Sequence, residues 1–325
     1  MINFKNKKTI IILIKIFLAL FLIIFLITTN QLDFKQLFFL FNKNYILIIF
    51  FICSIGVYLV QFSTALRLFI LLTSINYNIG ILKIIKYTFI GSLFNMILPI
   101  NIGGDIVKGY YIFKNELEKQ GRTIGILIID RLLGLLSLFI ISICSIIYLI
   151  STNKLSLCNI FKKINIFSVI IISSIFLFLF FLILYKNWLE CLIKKITKKP
   201  IILNLIEGFT ILTTNKSQIF IAIIIGLFSH LITLICLFLI SYFIDEKLLN
   251  FIQYISISAV VILIGNIPLT PGNIGWLEFI GSIGWQSLGS NNGALTFFIW
   301  RIIYLINILI VYLFFLFIFK KEITK

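Results

Sequence analysis

Residues 91–110 read GSLFNMILPINIGGDIVKGY, and this stretch decides how the rest of the chain is interpreted. It starts as an apolar segment typical of a transmembrane helix, but Pro99 and the pair Gly103 and Gly104 interrupt it. Backbone that leaves helical geometry inside a bilayer exposes N–H and C=O groups, and each unpaired group costs several kcal/mol against lipid. Such a break is tolerated only where it is buried in protein or lines a wet cavity. The stretch therefore predicts a broken helix at membrane depth.

A second stretch, residues 264–279, repeats the pattern as IGNIPLTPGNIGWLEF. Both stretches contain Pro-x-Asn-Ile-Gly followed by a carboxylate, which is Asp105 in the first and Glu278 in the second. Arg131 and Arg301, each inside an apolar run, recur at nearly the same separation. Two features that recur at one spacing indicate an internal duplication. Paired broken segments in corresponding halves are the best sequence pointer to the binding site of a transporter.

The composition identifies the class of protein. The chain has 325 residues, of which 61% are hydrophobic and 12% charged, and several apolar runs are long enough to cross a hydrocarbon core of about 30 Å. We expect an all-α, polytopic membrane protein. The net charge of +17 carries no prediction of a nucleic-acid partner, because abundant Ile, Phe, Lys and Asn indicate an A+T-rich coding sequence. The sequence has no nucleotide-binding loop, metal-ligand cluster or haem pair, so we expect no cofactor and no metal.

The apolar runs predict about six full spans and two re-entrant hairpins. The second span is expected to close at Arg67, and Lys15 lies near enough to the basic end of the first to snorkel to the head groups. The positive-inside rule places the N-terminal lysines, Lys194–Lys199 and the C-terminal lysines in the cytoplasm, with the spans in the cytoplasmic membrane. The side of the loop 154–163 stays open. The predicted spans are 9–27, 45–66, 124–150, 166–185, 219–243 and 295–319.

This orientation divides the single membrane domain, 1–325, into two mirror-image halves, 1–150 and 166–325. The first hairpin has the cytoplasm at both ends. The second, at about 251–289, has the exterior at both ends. Opposite orientations of corresponding elements are what an inverted-topology repeat requires.

Arg131 and Arg301 are the strongest candidates for chemistry. A cation near the bilayer centre costs about 2.5 kcal/mol or more, so it needs a partner or a wet cavity. One interpretation is a structural ion pair, Arg131 with Asp105 or Asp130 and Arg301 with Glu278. The other is a cationic site for an anionic head group, since a guanidinium grips phosphate in bidentate fashion. The two interpretations are compatible.

Residues at the hairpin tips complete the predicted site. The N-terminus of a half-helix presents N–H groups that suit an anion, and the tip glycines either permit its close approach or merely form the turn. Asn95 and Asn266 precede the breaks and satisfy either freed backbone groups or a ligand. His230 serves as a proton relay or, more commonly for such a residue, in an interhelical hydrogen bond. The predicted substrate-binding residues are Arg131, Arg301, Asn95, Asn101, Gly103, Gly104, Asp105, Lys108, Asn266, Gly272, Asn273, Gly275 and Glu278.

The chain resembles the lysylphosphatidylglycerol synthase transmembrane-region family, also called flippase-like domain proteins, in the motifs GSLFNMILPINIGGDIVKGY, IIDRLLGLL and IPLTPGNIGWLE. The resemblance covers about residues 10–318 and implies a membrane domain that moves, or is proposed to move, lipids between leaflets. In the multiple peptide resistance factor such a domain flips a phospholipid that an attached soluble domain aminoacylates. We expect no such soluble domain here, so only the transport role carries over. The chain departs from the family's usual Gly, Arg and Gly at Ile100, Lys108 and Asn273. These differences leave open which lipid head group it binds.

The leading hypothesis is a lipid translocase for a phosphate-bearing lipid, either an anionic phospholipid or a polyprenyl-phosphate-linked sugar. The alternative is a non-transporting scaffold or regulator of a glycosyltransferase or lipid-modifying enzyme. A third class, an intramembrane enzyme, would have only Asp105, Asp130, Glu278 and His230 to use. Nothing in the sequence aims these side chains at a scissile bond, so we expect a protein that is not an enzyme.

Overall fold

The computed structural model describes residues 4–33, 35, 45–74, 76–77, 79–97, 103–114, 120–151, 216–244 and 250–318. This part of the chain consists of helices joined by turns, in agreement with the predicted all-α class. The helices are α1 (Phe4–Thr28), α2 (Tyr45–Thr73), α3 (Ile81–Ile97), α4 (Gly103–Phe113), α5 (Gln120–Ser151), α6 (Lys216–Ile244), α7 (Phe251–Gly265), α8 (Trp276–Gln286) and α9 (Gly293–Ile318), with a 3-10 turn at Pro271–Asn273 between α7 and α8.

Among the described helices, four are long and apolar enough to cross a membrane, and they match four of the predicted spans. They are Ile46–Thr73, Gln120–Tyr148, Lys216–Ile244 and Gly293–Phe315. The predicted first span lies in α1, whose segment Leu13–Thr28 is a shorter apolar helix. The predicted span 166–185 and the loops around it lie outside the described residues. The protein is thus a multi-pass helical membrane protein.

The second span is longer than predicted. The sequence placed its end at Arg67, but α2 continues to Thr73 and Arg67 is buried inside the bundle. The helix does not end there because the segment after Arg67, LFILLT, is apolar and Asp130 neutralises the guanidinium.

The first broken segment forms hairpin A, which consists of α3 and α4. Its arms run antiparallel, because Asn95 near the end of α3 contacts Gly104 at the start of α4, whereas Tyr77, just before α3, contacts Ile112 near the end of α4. The backbones approach so closely that a Cβ added at Gly91 would lie 2.8 Å from the carbonyl oxygen of Gly104. Glycine at the crossing is therefore a packing requirement of this hairpin.

The second broken segment forms hairpin B, which consists of α7, the turn 266–275 and α8. Trp276 Nε1 donates to the carbonyl oxygen of Ile264 at 3.3 Å near the tip. At the other end the rings of Tyr254 and Trp285 lie 5.8 Å apart, so these arms are also antiparallel.

Hairpin A opens at the end of the bundle where α2 finishes and α5 and α6 begin. Buried Leu68, Ile126 and Ala222 belong to one apolar cluster at that end. Tyr77, just before α3, donates through its hydroxyl to the carbonyl oxygen of Ile112 in α4 at 3.2 Å. The open end of hairpin A, formed by the start of α3 and the end of α4, therefore lies at this end of the bundle.

Hairpin B opens at the opposite end. Trp285 of α8 donates through Nε1 to Ser241 Oγ near the end of α6 at 2.8 Å. The tip points back into the bundle, where a Cβ added at Gly272 would lie 3.2 Å from the carbonyl oxygen of Met96 near the end of α3. The two hairpins thus approach from opposite ends of the bundle, and their tip regions come into contact.

Helix contacts recur in the two parts of the chain. α2 packs on α3 as α6 packs on α7, and α4 packs on α5 as α8 packs on α9. Helix α5 packs on α7 of hairpin B, and α9 packs in the same way on α3 of hairpin A. The central pair, α2 and α6, runs antiparallel, since Cys53 contacts Cys236 and Arg67 contacts Gly226. The same kinds of helix contact thus occur in both parts of the chain.

Candidate functional site

A polar cluster lies where hairpin A packs on α5. Arg131 Nε of α5 donates to Asp105 Oδ2 in the first turn of α4, and Lys108 Nζ lies 3.3 Å from Asp105 Oδ1. The Arg131 side chain is 39% exposed, against 14% for Asp105 and 11% for Lys108. Asp105, one of the two sequence-predicted partners of Arg131, is thus in direct contact with it. The cluster has one accessible cation, Arg131, bound to a carboxylate that is only partly exposed.

The other predicted partner, Asp130, binds a different arginine. Its Oδ1 accepts from Arg67 Nε of α2 at 2.7 Å, and both side chains are buried. Two consecutive residues of α5 thus contact two different elements, since Asp130 pairs with α2 and Arg131 pairs with hairpin A. Arg67 was not among the predicted site residues because it was placed at the end of a helix. The apolar segment after Arg67 could have shown that the helix continues and that Arg67 lies inside it.

We call the group made of Arg67, Lys108, Arg131, Asp105 and Asp130 the cationic cluster. Its positive and negative charges do not cancel. Arg67, Lys108 and Arg131 supply three positive charges, and Asp105 and Asp130 supply two negative charges. An excess positive charge in a largely desolvated site interacts strongly with an added anion, because little solvent screens it. The cluster therefore suits an anionic ligand.

Arg301, the counterpart of Arg131, is bound differently. Its Nε donates to Glu278 Oε1 at 2.5 Å and its Nη2 to Glu278 Oε2 at 3.2 Å, which makes the pair bidentate. It also donates to the carbonyl oxygens of Gly272 at 2.8 Å and Asn273 at 2.9 Å. Its side chain is only 15% exposed. Arg301 thus fastens α9 to the turn of hairpin B.

Left-handed backbone explains the composition of that turn. Gly272, Asn273 and Gly275 have φ angles of 58°, 56° and 78°, which glycine adopts freely and asparagine tolerates. Glu278 Oε2 accepts from the backbone N–H of Gly275 at 2.8 Å, as in a capping box. Glu278 therefore caps α8 and also forms the ion pair with Arg301 that one interpretation of the sequence predicted.

The two predicted asparagines differ in their contacts. Asn95 Oδ1 accepts from the backbone N–H of Gly104 at 2.8 Å and so joins the arms of hairpin A beside buried Gly103. Asn266 donates through Nδ2 to the carbonyl oxygen of Ile262 in its own helix at 3.0 Å. One backbone N–H near the tip of each hairpin, that of Gly104 and that of Gly275, thus already donates to a side-chain oxygen of the protein. Asn101 lies outside the described residues.

His230 forms the interhelical hydrogen bond favoured by the sequence. Its Nε2 lies 3.1 Å from the carbonyl oxygen of Gly134, which joins α6 to α5. In the described ranges no three His, Cys, Asp or Glu side chains come together as a metal site would require.

Lys15, which the sequence placed near the basic end of the first span, contacts hairpin B. Its Nζ donates to the carbonyl oxygen of Pro268 in the turn of hairpin B at 3.1 Å. The turn lies directly against α1, where a Cβ added at Gly275 would be 3.0 Å from the carbonyl oxygen of Ala19. A further cation thus reaches the turn of hairpin B, and this one was not among the predicted site residues.

A small apolar pocket of about 70 Å³ lies between α2, α6 and α9. Its walls consist of isoleucine and phenylalanine side chains, among them Ile49, Ile240 and Ile303. One wall belongs to α9, the helix that also carries Arg301. Such walls suit a hydrocarbon chain.

The comparison with protein families gives one match. The family described as the lysylphosphatidylglycerol synthase TM region matches residues 12–311, nearly the whole chain. No curated protein and no solved structure matches the chain.

Proposed function

This chain belongs to the lysylphosphatidylglycerol synthase TM region family, and we propose that it is a translocase that moves a phosphate-bearing lipid between the leaflets of the cytoplasmic membrane. The observation that carries the proposal is the meeting of two broken-helix hairpins, each bound to an arginine of a long apolar helix. Broken helices that meet inside a bundle form the binding site in many secondary transporters.

The head-group site in this proposal is the cationic cluster. Arg131 is its most exposed member and would donate to phosphate oxygens, while Lys108 adds a second positive charge from α4. The excess positive charge of the cluster favours an anionic phospholipid or a polyprenyl-phosphate-linked sugar over a zwitterionic lipid. The apolar pocket between α2, α6 and α9 would hold part of a hydrocarbon chain.

The transport step in this proposal is alternating access. Hairpins A and B act as re-entrant hairpins from opposite faces of the membrane, within an inverted repeat of 1–150 and 166–325 and with both termini in the cytoplasm. The openings of the hairpins at opposite ends of the bundle and the matched helix contacts support this arrangement. Rocking of the halves about α2 and α6 would expose the head-group site to each leaflet in turn. The lipid crosses without any covalent change.

Reconstitution tests the proposal. Vesicles containing the protein and a fluorescent phosphatidylglycerol are treated with an impermeant quencher, and the rate at which inner-leaflet lipid becomes accessible is measured. We expect Arg131→Ala to lower this rate by about 10–100-fold, since a charge-assisted hydrogen bond contributes about 1.5–3 kcal/mol. Lys83→Ala removes an exposed charge at the start of α3 and serves as the control.

The outcomes separate the candidate functions. Full transport by Arg131→Ala would exclude the cationic cluster as the head-group site. If the wild-type protein transports neither phosphatidylglycerol nor a polyprenyl phosphate, the translocase proposal fails. The scaffold or regulator of a glycosyltransferase or lipid-modifying enzyme would then be the better explanation.

A further inference from the structure

Lys15 is a cation on a helix surface that is otherwise apolar. Leu13, Ile14, Ile16 and Phe17, which flank Lys15 along the chain, are exposed hydrophobic side chains, so α1 is suited to lipid contact around this position. Ala19 and Leu22, on the same face of the helix as Lys15, are buried against the turn of hairpin B, so Lys15 lies at the edge of that contact. Lys15 lies well inside α1, which begins at Phe4, and its Nζ reaches Pro268. An ammonium group at such a position is costly unless a counter-charge or water accompanies it.

The carboxylates near the tips are bound to other cations. Near the hairpin tips, Asp130 pairs with Arg67, Asp105 pairs with Lys108 and Arg131, and Glu278 pairs with Arg301; none of these pairs includes Lys15. Its observed partner is the Pro268 carbonyl oxygen, which carries only a partial charge. The charge of Lys15 thus calls for an anion from outside the described chain.

The surroundings of Lys15 indicate where that anion comes from. The turn residues Ile267 and Leu269, on either side of Pro268, are exposed and apolar. The junction of α1 with hairpin B therefore presents hydrocarbon-compatible surface with a single ammonium group in it. A phosphate attached to acyl chains satisfies both features, whereas a free phosphate ion satisfies only the charge.

We infer that Lys15 binds the phosphate of a lipid head group at the junction of α1 and the turn of hairpin B, and that this junction is a lateral entrance from the bilayer. The inference rests on the proposed translocase function and adds a site for which the sequence pattern gave no indication. In this arrangement Lys15 attracts the head group from the lipid-facing side. The head group then passes toward the tips, where the cationic cluster holds it.

Lipid titration of the purified protein in mild detergent tests the inference. The midpoint of thermal unfolding is followed while dioleoyl-phosphatidylglycerol, dioleoylglycerol or inorganic phosphate is added. We expect phosphatidylglycerol alone to raise the midpoint and Lys15→Met to require about tenfold more of it, as for loss of one charge-assisted contact. Lys15→Arg should stay within about threefold of wild type, and Lys83→Met, which removes an exposed lysine at the start of α3, should match wild type.

Three results would overturn the inference. Equal binding by Lys15→Met and wild type would leave Lys15 as a snorkelling residue only. Equal protection by dioleoylglycerol would show a site for hydrocarbon, and equal protection by inorganic phosphate would show an ion site without a lipid entrance. The vesicle assay keeps the two proposals apart. If Arg131→Ala abolishes transport while Lys15→Met binds normally, only the entrance is wrong; if the wild type binds through Lys15 but moves no lipid, only the translocase is wrong.

Discussion

At the scale of single residues, the two arginines that look equivalent in sequence have different surroundings. Arg131 is 39% exposed and pairs with a carboxylate that it shares with Lys108. Arg301 is 15% exposed and makes four hydrogen bonds to Glu278, Gly272 and Asn273. Arg131 is therefore the better placed to meet a ligand. Arg301 is the better placed to hold the turn of hairpin B.

This difference predicts that Arg301 contributes more to the stability of the fold and that Arg131 contributes more to transport. Arg301→Ala should lower the free energy of unfolding by roughly 3–5 kcal/mol, because it leaves the buried Glu278 carboxylate unpaired. Arg131→Ala should cost less, since its side chain is more exposed. Chemical unfolding in detergent, followed by tryptophan fluorescence, measures both. Arg301→Ala combined with Glu278→Gln should recover part of the loss, and equal stabilities of the two single variants would contradict the assignment.

At the scale of elements, hairpin A depends on a glycine crossing. A Cβ added at Gly104 would lie 2.6 Å from the side-chain carboxamide carbon of Asn95, and the Gly91 backbone is closer still. The arms of the hairpin would have to separate. That movement would also break the hydrogen bond between the Gly104 N–H and Asn95 and displace Asp105 next to it.

We therefore expect Gly104→Ala to destabilise the protein by about 1–3 kcal/mol, the usual cost of overpacking, and to impair transport. Gly80→Ala is a matched control, because no atom lies within 4 Å of a Cβ added there. The midpoint of thermal unfolding of each variant is the measurement. If the two alanine variants unfold at the same temperature, the close crossing of the arms is wrong.

At the scale of the whole molecule, the buried pair of Arg67 and Asp130 connects α2 with α5. Helix α2 packs on α6 at the centre of the bundle, and α5 carries the Arg131 contact to hairpin A. Asp130 is thus the covalent neighbour of the residue that faces the proposed ligand. The pair joins the site to the centre of the bundle.

A buried ion pair is costly to break and less costly to replace. Arg67→Met alone or Asp130→Leu alone should cost roughly 3–5 kcal/mol, whereas the double variant should recover most of the loss because no buried charge is left unpaired. The double variant preserves the net charge of the cationic cluster, so lipid binding should survive in it. Unfolding curves of the three variants form the test, and additive losses would show that the two side chains do not form a buried pair.

Local features of the sequence were sufficient for the class of protein and the positions of its breaks. The length of an apolar run decides whether a helix can cross a bilayer, and proline and glycine interrupt it at their own positions. The runs that became α2, α5, α6 and α9, and the breaks near Pro99 and Pro271, were therefore recognisable without a structure. The motifs around those breaks were also enough to indicate the family.

Only the tertiary structure decided which charges meet. Asp130 accepts a hydrogen bond from Arg67, which precedes it by 63 positions, and Lys15 reaches Pro268, which is far away in the chain. Such pairings depend on how helices rotate and cross, and apolar spans of similar composition do not encode that rotation in any local pattern. The difference between Arg131 and Arg301 has the same origin, because exposure is a property of what packs on a side chain. The sequence identified the charged residues inside the membrane, and packing assigned each of them its partner.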